Sequence, residues 1–210
     1  MLRVVIADDH PIVLKGLKEI LSEGFDNVIL DATTTGYELI NKVQNNQYDL
    51  VLLDISLPDI NGLEVLKEIK KKKPKLPVLI VSMYPEEQYA LRAMKAGAQG
   101  YLTKRSASDE LVLAVRKILS GSRYISPAFA EKMMYDFESN VEKPPHERLS
   151  DRELQVLCMI GQGKAVNRIA GELHVSANTV RTYRTRILEK IGVKGTSELI
   201  HYAITHRLAE

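Results

Sequence analysis

Asp49-Leu50-Val51-Leu52-Leu53-Asp54-Ile55-Ser56-Leu57-Pro58-Asp59-Ile60-Asn61-Gly62 decides the fold. Its first part, Leu50 to Leu53, is short, wholly apolar and bounded by acids, as a strand covered on both faces should be. Its last part, Pro58 to Gly62, is turn chemistry. Asp54 falls where strand gives way to loop. A lone carboxylate there is costly to bury without partners. It therefore lies at an exposed sheet edge or beside a cation, and in an open parallel sheet that edge is where ligands bind.

Outward from this stretch, strand and helix patterns alternate. Val4 to Ala7, Val28 to Leu30, Val78 to Val81 and Gly100 to Leu102 read as further strands. Residues 12–21 read as a helix with Ile12, Val13, Leu17, Ile20 and Leu21 on one face; 37–43, 63–70, 86–95 and 109–119 read as the others. Five strand–helix repeats predict a parallel sheet with helices on both faces. The Lys70-Lys71-Lys72-Lys73 run before Pro74 reads as cations at a helix C-terminus rather than a nucleic-acid patch.

The polar residues at the strand ends are the informative ones. The first strand ends in Asp8-Asp9, the third in Asp54, the fourth in Ser82 and the fifth in Thr103-Lys104. In a doubly wound sheet these ends share one edge. Three carboxylates converging there repel one another, and a hard divalent cation such as Mg²⁺, which takes oxygen ligands, relieves the repulsion. A hydroxyl (Ser82) and an ammonium (Lys104) complete a site for a phosphoryl group. Helix capping by Asp8 and Asp9 explains neither the doubled acid nor the Ser and Lys at two other strand ends.

Residues 1–121 resemble the receiver domain of two-component response regulators, through Asp8-Asp9, Asp54, Pro58 to Gly62, Ser82, Tyr101 and Lys104. The resemblance implies a flavodoxin-like α/β fold with strand order 2-1-3-4-5. It implies that Asp54 accepts a phosphoryl group from a histidine kinase, with Lys104 and Ser82 assisting. Mg²⁺ would be held by Asp9, Asp54 and the Ser56 backbone carbonyl, with Asp8 acting through a water. Ser82 and Tyr101 would be the switch residues, Tyr101 filling space that Ser82 leaves. Arg105 departs from the family, in which proline is frequent after the lysine.

The 210 residues suffice for two small domains, and no apolar run reaches membrane-spanning length. Met1-Leu2-Arg3-Val4-Val5 reads as the start of a strand rather than a signal peptide. The single Cys158, in an apolar helical run, excludes an internal disulfide and fits a reducing, cytoplasmic setting. Charge is uneven: residues 1–122 hold 16 Lys/Arg and 16 Asp/Glu, residues 123–147 hold 3 and 5, and residues 148–210 hold 10 and 6. The basic excess marks the C-terminal part as the place to seek a polyanion.

Residues 122–146 read as a linker. It carries a short helix over 128–137, with Phe129, Met133 and Phe137 on one stripe, and then a polar tether over 138–147. From Leu149 four helices follow. Ser150-Asp151-Arg152-Glu153 fits a capping box, and Ser176 is an N-cap. On the helix over 177–191, Val180, Ile187, Leu188 and Ile191 fall on one face and Asn178, Thr182, Thr185, Arg186 and Glu189 on the other, with Arg181 on the flank. A polar, basic helix after a tight helix pair suits the major groove.

Residues 147–210 resemble the LuxR-type helix-turn-helix domain, through Leu149 to Leu157, Ile169-Ala170, Leu173, Val175-Ser176, Thr179-Val180-Arg181 and Ile191-Gly192-Val193. The whole chain thus resembles the NarL/FixJ class of transcriptional regulators. The resemblance places Arg181, Thr182 and Thr185 at the bases or groove, and Lys164, Arg184 and Arg186 at phosphates. It implies double-stranded DNA as partner, homodimerisation on phosphorylation and no turnover chemistry; by the same resemblance the last helix is a dimer surface, and its apolar stripe reads equally as core. Ala165 to Arg168 and Tyr183 depart from the family pattern. Two rival readings are a haloacid-dehalogenase-like phosphohydrolase, which wants an Asp where Ser56 stands, and a receiver that dimerises without phosphorylation.

Overall fold

The structure, a computed structural model, describes residues 1–138 and 144–209. It falls into two compact units that part within residues 139–143. In the first, β1 (Leu2–Ala7), β2 (Val28–Thr33), β3 (Leu50–Leu53), β4 (Val78–Ser82) and β5 (Gly100–Thr103) form one parallel sheet in the order β2-β1-β3-β4-β5. Helices α1 (Pro11–Gly24), α2 (Gly36–Asn45), α3 (Gly62–Lys72), α4 (Glu86–Lys95) and α5 (Ala107–Leu119) follow the strands in turn. The expected flavodoxin-like order is the one observed.

Alternating strand residues bury both faces. Val4, Ile6, Leu50, Leu52, Leu79 and Val81 pack with Leu17 and Leu21 of α1 and Leu111, Val115 and Ile118 of α5. The intervening Val5, Val51, Leu53 and Ile80 are equally buried, as are Leu39, Val65, Leu66, Ile69 and Tyr89 of α2, α3 and α4. Each such side chain contributes about 1.5–3 kcal/mol.

Register positions the site. Ala7 pairs with Leu53, so Asp8 and Asp54 emerge side by side, and the Asp54 N–H donates to the Ala7 carbonyl at 2.9 Å. Ser82 pairs with Thr103, and the Lys104 N–H donates to the Ser82 carbonyl at 2.7 Å.

One expectation for the first unit is corrected. Ile12 does not face the core; it is 87% exposed. With 3.6 residues per turn it lies on nearly the opposite side of α1 from Leu17, and Leu14, half-buried against the core, joins the stripe instead. The helix expected over 128–137 is present as α6 (Pro127–Glu138). Phe129 is buried and Met133 exposed, while the Phe137 side chain lies outside the described residues.

The second unit comprises α7 (Asp151–Gly161), α8 (Val166–Glu172), α9 (Ala177–Ile191) and α10 (Thr196–Thr205). The tether over 138–147 does not run extended to its end: Pro145–Arg148 form a 3-10 turn. His146 anchors it, its N–H donating to the Tyr202 hydroxyl at 3.3 Å and its ring standing edge-on to that ring. Residues 139–143 of the tether lie outside the described residues. The α7 capping box is complete, with Ser150 and Glu153 each bonding the other's backbone N–H. Ser176 caps α9, and Gly192, at φ 82°, closes it in the left-handed conformation open to glycine. Leu154, Leu157, Ile169, Val180, Ile187, Leu199 and Ala203 form the core.

Candidate functional site

Strand ends gather the acids. The Lys104 Nζ stands 2.6 Å from Asp8 Oδ2 and 2.7 Å from Asp54 Oδ2, and all three side chains are at most 5% exposed. One ammonium thus serves two carboxylates. Burial and the Asp54 charge push the Asp8 carboxyl above the usual range, against the downward pull of Lys104. Burial works to lower the Lys104 ammonium, yet Asp54 and Asp8 outweigh it and hold it above the ordinary lysine range. The Asp54 Oδ1 is buried without a hydrogen-bond partner. A buried orphan oxygen is costly and calls for a ligand.

The loop after Asp54 is held from several sides. Asn61 caps α3 by accepting the Leu63 N–H at 2.9 Å, and the Gly62 N–H donates to the Ile55 carbonyl at 2.9 Å. A Cβ on Gly62 would sit 2.1 Å from the Asp54 carbonyl oxygen, so only glycine lets α3 approach this closely. Asp59 accepts the Gly36 and Tyr37 N–H groups, each at 2.8 Å, placing its charge at the N-terminus of α2.

Asp8, Asp9, His10 and Asp54 each offer one donor atom within 4.8 Å of the others. Three carboxylates, with an orphaned oxygen among them, fit a hard divalent cation. His10 was not anticipated from the sequence. Its Nδ1 is 2.7 Å from Asp9 Oδ1 and 3.3 Å from Asp8 Oδ1, and its N–H donates to Asp8 Oδ1 at 2.9 Å. The signal was its place beside the doubled acid, at the N-cap of α1. Ser56 is half-buried in the same loop.

Ser82 is fully buried at the end of β4. Tyr101 is also fully buried, and its hydroxyl donates to the Tyr84 carbonyl at 2.9 Å. It is no surface aromatic; burial first, and then the Asp54 charge, push its phenol well above the ordinary value.

In the second unit α8, a tight turn and α9 form the helix pair. His174 takes a positive φ of 51°, and the Val175 N–H returns to the Ala170 carbonyl at 3.0 Å. Asn178, Arg181, Thr182, Thr185 and Arg186 are all exposed on α9. Arg181 Nη1 donates to Asn178 Oδ1 at 2.8 Å, and the Thr182 and Thr185 hydroxyls donate to carbonyls one turn back. Two residues expected at phosphates also have partners within the protein. Lys164 pairs with Glu172, and half-buried Arg184 donates to Thr196 Oγ1 at 2.9 Å, tying α9 to α10.

Comparison with known proteins agrees with this geometry. The response regulator receiver domain family matches residues 4–116, and the bacterial regulatory proteins of the luxR family match residues 147–203. The chain belongs to the response regulators. It is 35% identical to the response regulator UvrY of Escherichia coli (strain K12) over 209 residues, covering 99% of this chain and 96% of that one. It is 34% identical to the response regulator GacA of Pseudomonas viridiflava, covering 100% and 99%. Among solved structures, RcsB from Salmonella enterica serovar Typhimurium, bound to promoter P1flhDC in the presence of phosphomimetic BeF3⁻, superposes at a TM-score of 0.59. That match is at 25% identity and covers 96% of this chain and 97% of that one. This is a two-domain regulator of the NarL/FixJ class that joins a receiver to a LuxR-type DNA-binding domain. Its family is one of DNA-binding regulators, not of turnover enzymes. No helix among the described residues is long and apolar enough to cross a membrane.

Proposed function

We propose that Asp54 is the phosphoacceptor and that its modification controls DNA binding by α9. The observation that carries this is the buried Asp54 Oδ1 without a hydrogen-bond partner, beside a second carboxylate that shares its lysine. An Asp54 oxygen forms the new O–P bond as the P–N bond of a kinase phosphohistidine breaks and the imidazole keeps the electron pair. Lys104, already between the two carboxylates, neutralises a phosphoryl oxygen as charge shifts. Asp9, Asp54 and the Ser56 carbonyl would hold Mg²⁺, with Asp8 through a water; the ion when bound neutralises charge on the transferring group. Slow hydrolysis of the acyl phosphate returns Asp54 to its free state.

Phosphorylation adds roughly 1.5 to 2 negative charges and three acceptor oxygens. These draw in the Ser82 hydroxyl and Lys104, and Tyr101 follows Ser82. The switch is therefore a two-state element biased by contacts at one carboxylate. We assign residues 1–121 to the receiver, 122–146 to the linker and 147–210 to the DNA-binding domain, and place the protein in the cytoplasm.

On DNA, Arg181, Thr182 and Thr185 face the groove, flanked by Asn178 and Arg186. Lys164 and Arg184 would reach phosphates with the N–H donors that Glu172 and Thr196 leave over. Binding as a homodimer to paired half-sites is supported by the solved pair of RcsB dimers on DNA. One experiment tests the whole reading: selection of bound duplexes by the full chain with and without acetyl phosphate, with Asp54→Asn as control. Phosphate on Asp54 and a phosphorylation-dependent consensus are expected. Labelling elsewhere, or the same duplexes at the same affinity in both arms, would overturn it.

A further inference from the structure

The open edge of the sheet is not bare. After α5 the chain returns along β5, where Tyr124 forms a one-residue parallel bridge opposite Gly100. The Tyr124 N–H donates to the Gln99 carbonyl at 2.8 Å, and the Tyr101 N–H donates to the Tyr124 carbonyl at 3.2 Å. Gly100 makes room for this: a Cβ there would stand 2.9 Å from the Tyr124 carbonyl oxygen.

Side chains fix the same segment from two more helices. The Tyr124 hydroxyl donates to Glu110 Oε2 of α5 at 2.5 Å. Glu86, the first residue of α4, accepts the Ser126 N–H at 3.0 Å. Ser126 Oγ in turn accepts the Phe129 N–H at 3.1 Å in the first turn of α6. Burial pushes the Glu86 carboxyl upward while Ser126 pulls it down, so losing Ser126 strips a half-buried acid of its solvating partner.

Both attachments reach the switch residues. Tyr101 supplies one of the bridge hydrogen bonds through its backbone, and its hydroxyl holds the Tyr84 carbonyl. Glu86 is joined to Ser82 by only Met83, Tyr84 and Pro85. A connection that short ties a backbone shift at Ser82 to the start of α4.

We propose that residues 124–126 are a latch on the edge of β5, closed in the unphosphorylated receiver and loosened when Asp54 is modified. Drawing the Ser82 hydroxyl toward a phosphoryl group carries the loop 83–85 inward and takes Glu86 from Ser126. Movement of Tyr101 then weakens the bridge to Tyr124. Since α6 begins at Pro127, the latch fixes where the connection to the DNA-binding unit leaves the receiver. The proposal rests on the reading of Asp54 as phosphoacceptor.

Amide hydrogen exchange of the full chain, with Mg²⁺ alone and with Mg²⁺ and beryllofluoride, separates the two. Exchange at Tyr124 and Ser126 is expected to quicken about tenfold with beryllofluoride, as loss of the Tyr124 bond to the Gln99 carbonyl and of the Ser126 bond to Glu86 implies. Glu86→Ala should quicken Ser126 by a similar factor without beryllofluoride and leave acetyl phosphate labelling of Asp54 unchanged. Glu86→Gln, which keeps an acceptor and the fold, should lie between. If the amides of Ser82 and Tyr84 respond to beryllofluoride while Tyr124 and Ser126 do not, the latch is overturned and the phosphoacceptor stands. If no amide responds and Asp54 is unlabelled, both fall. Unchanged Ser126 exchange in both Glu86 variants also overturns the latch.

Discussion

Each unit buries a carboxylate against a lysine at the same distance, and the two pairs behave oppositely. In the receiver Asp8 lies 2.6 Å from Lys104; in the DNA-binding unit Glu153 lies 2.6 Å from Lys190. Both acids are under 5% exposed. Burial works to raise both. At Glu153 it is outweighed by Lys190, the Ser150 N–H and the Ser150 hydroxyl, so the carboxyl is held below the usual range. At Asp8 burial is reinforced by Asp54, and the shared Lys104 does not compensate, so the carboxyl sits above it. The Glu153 pair is satisfied as it stands, whereas the lysine shared by Asp8 and Asp54 leaves the acid cluster short of positive charge.

The sharpest test removes the surplus carboxylate. Asp54→Asn should abolish acyl phosphate formation outright, read by acid-labile phosphate on the full chain. It should also stabilise the receiver in the absence of divalent ions, because it removes the Asp54 charge that, after burial, helps hold the Asp8 carboxyl above the usual range. Thermal unfolding without divalent ions measures this. A destabilised variant would mean that Asp54 and Lys104 form a supporting pair like Glu153 and Lys190, and the contrast between the units would be wrong.

The receiver half of this contrast was legible in the sequence because its acids sit at strand ends, and the periodicity that reveals a strand also reveals its end. Asp8, Asp54, Ser82 and Lys104 converge through parallel register alone. The Glu153–Lys190 pair was half legible. The capping box predicts the Ser150 bond, but Lys190 is 37 residues away and nothing local signals the contact. Ile12 misled because a run of apolar residues at a helix start fixes no face until the sheet supplies one. The bridge at Tyr124 was invisible for a like reason: it depends on Gly100 having no side chain, and Gly100 read only as the first residue of a strand.

In the second unit the same removal should do the reverse. Glu153→Gln loses the Lys190 ion pair and weakens the bond to the Ser150 N–H, so it should cost about 1–3 kcal/mol, the usual effect of breaking a partly buried charged bond. Ser150→Ala, which removes only the cap, should cost about 1 kcal/mol. Local exchange over α7 measures both. If Ser150→Ala cost more than Glu153→Gln, the cap rather than the ion pair would be what holds Glu153, and the likeness to the Lys104 site would be superficial.

The smallest effect is the most direct reading of the contrast, the pH at which each carboxyl titrates. Glu153 has a folded value below its ordinary 4.5, so it contributes stability above pH 4.5 and loses it as pH falls through the folded value. Asp8 has a folded value above its ordinary 3.8, so its contribution is greatest below pH 3.8 and disappears as pH rises through the raised value. Acid should therefore loosen α7 and its neighbours while relieving the receiver's acid cluster. Carboxyl carbon shifts of the full chain, followed from pH 7 to pH 3, report both midpoints in one sample. Added Mg²⁺ should pull the Asp8 midpoint down, because a cation among the acids favours their charged form, and leave Glu153 where it was. A Glu153 midpoint that moved with Mg²⁺, or an Asp8 midpoint already below 3.8 without it, would show that the two lysines do the same job.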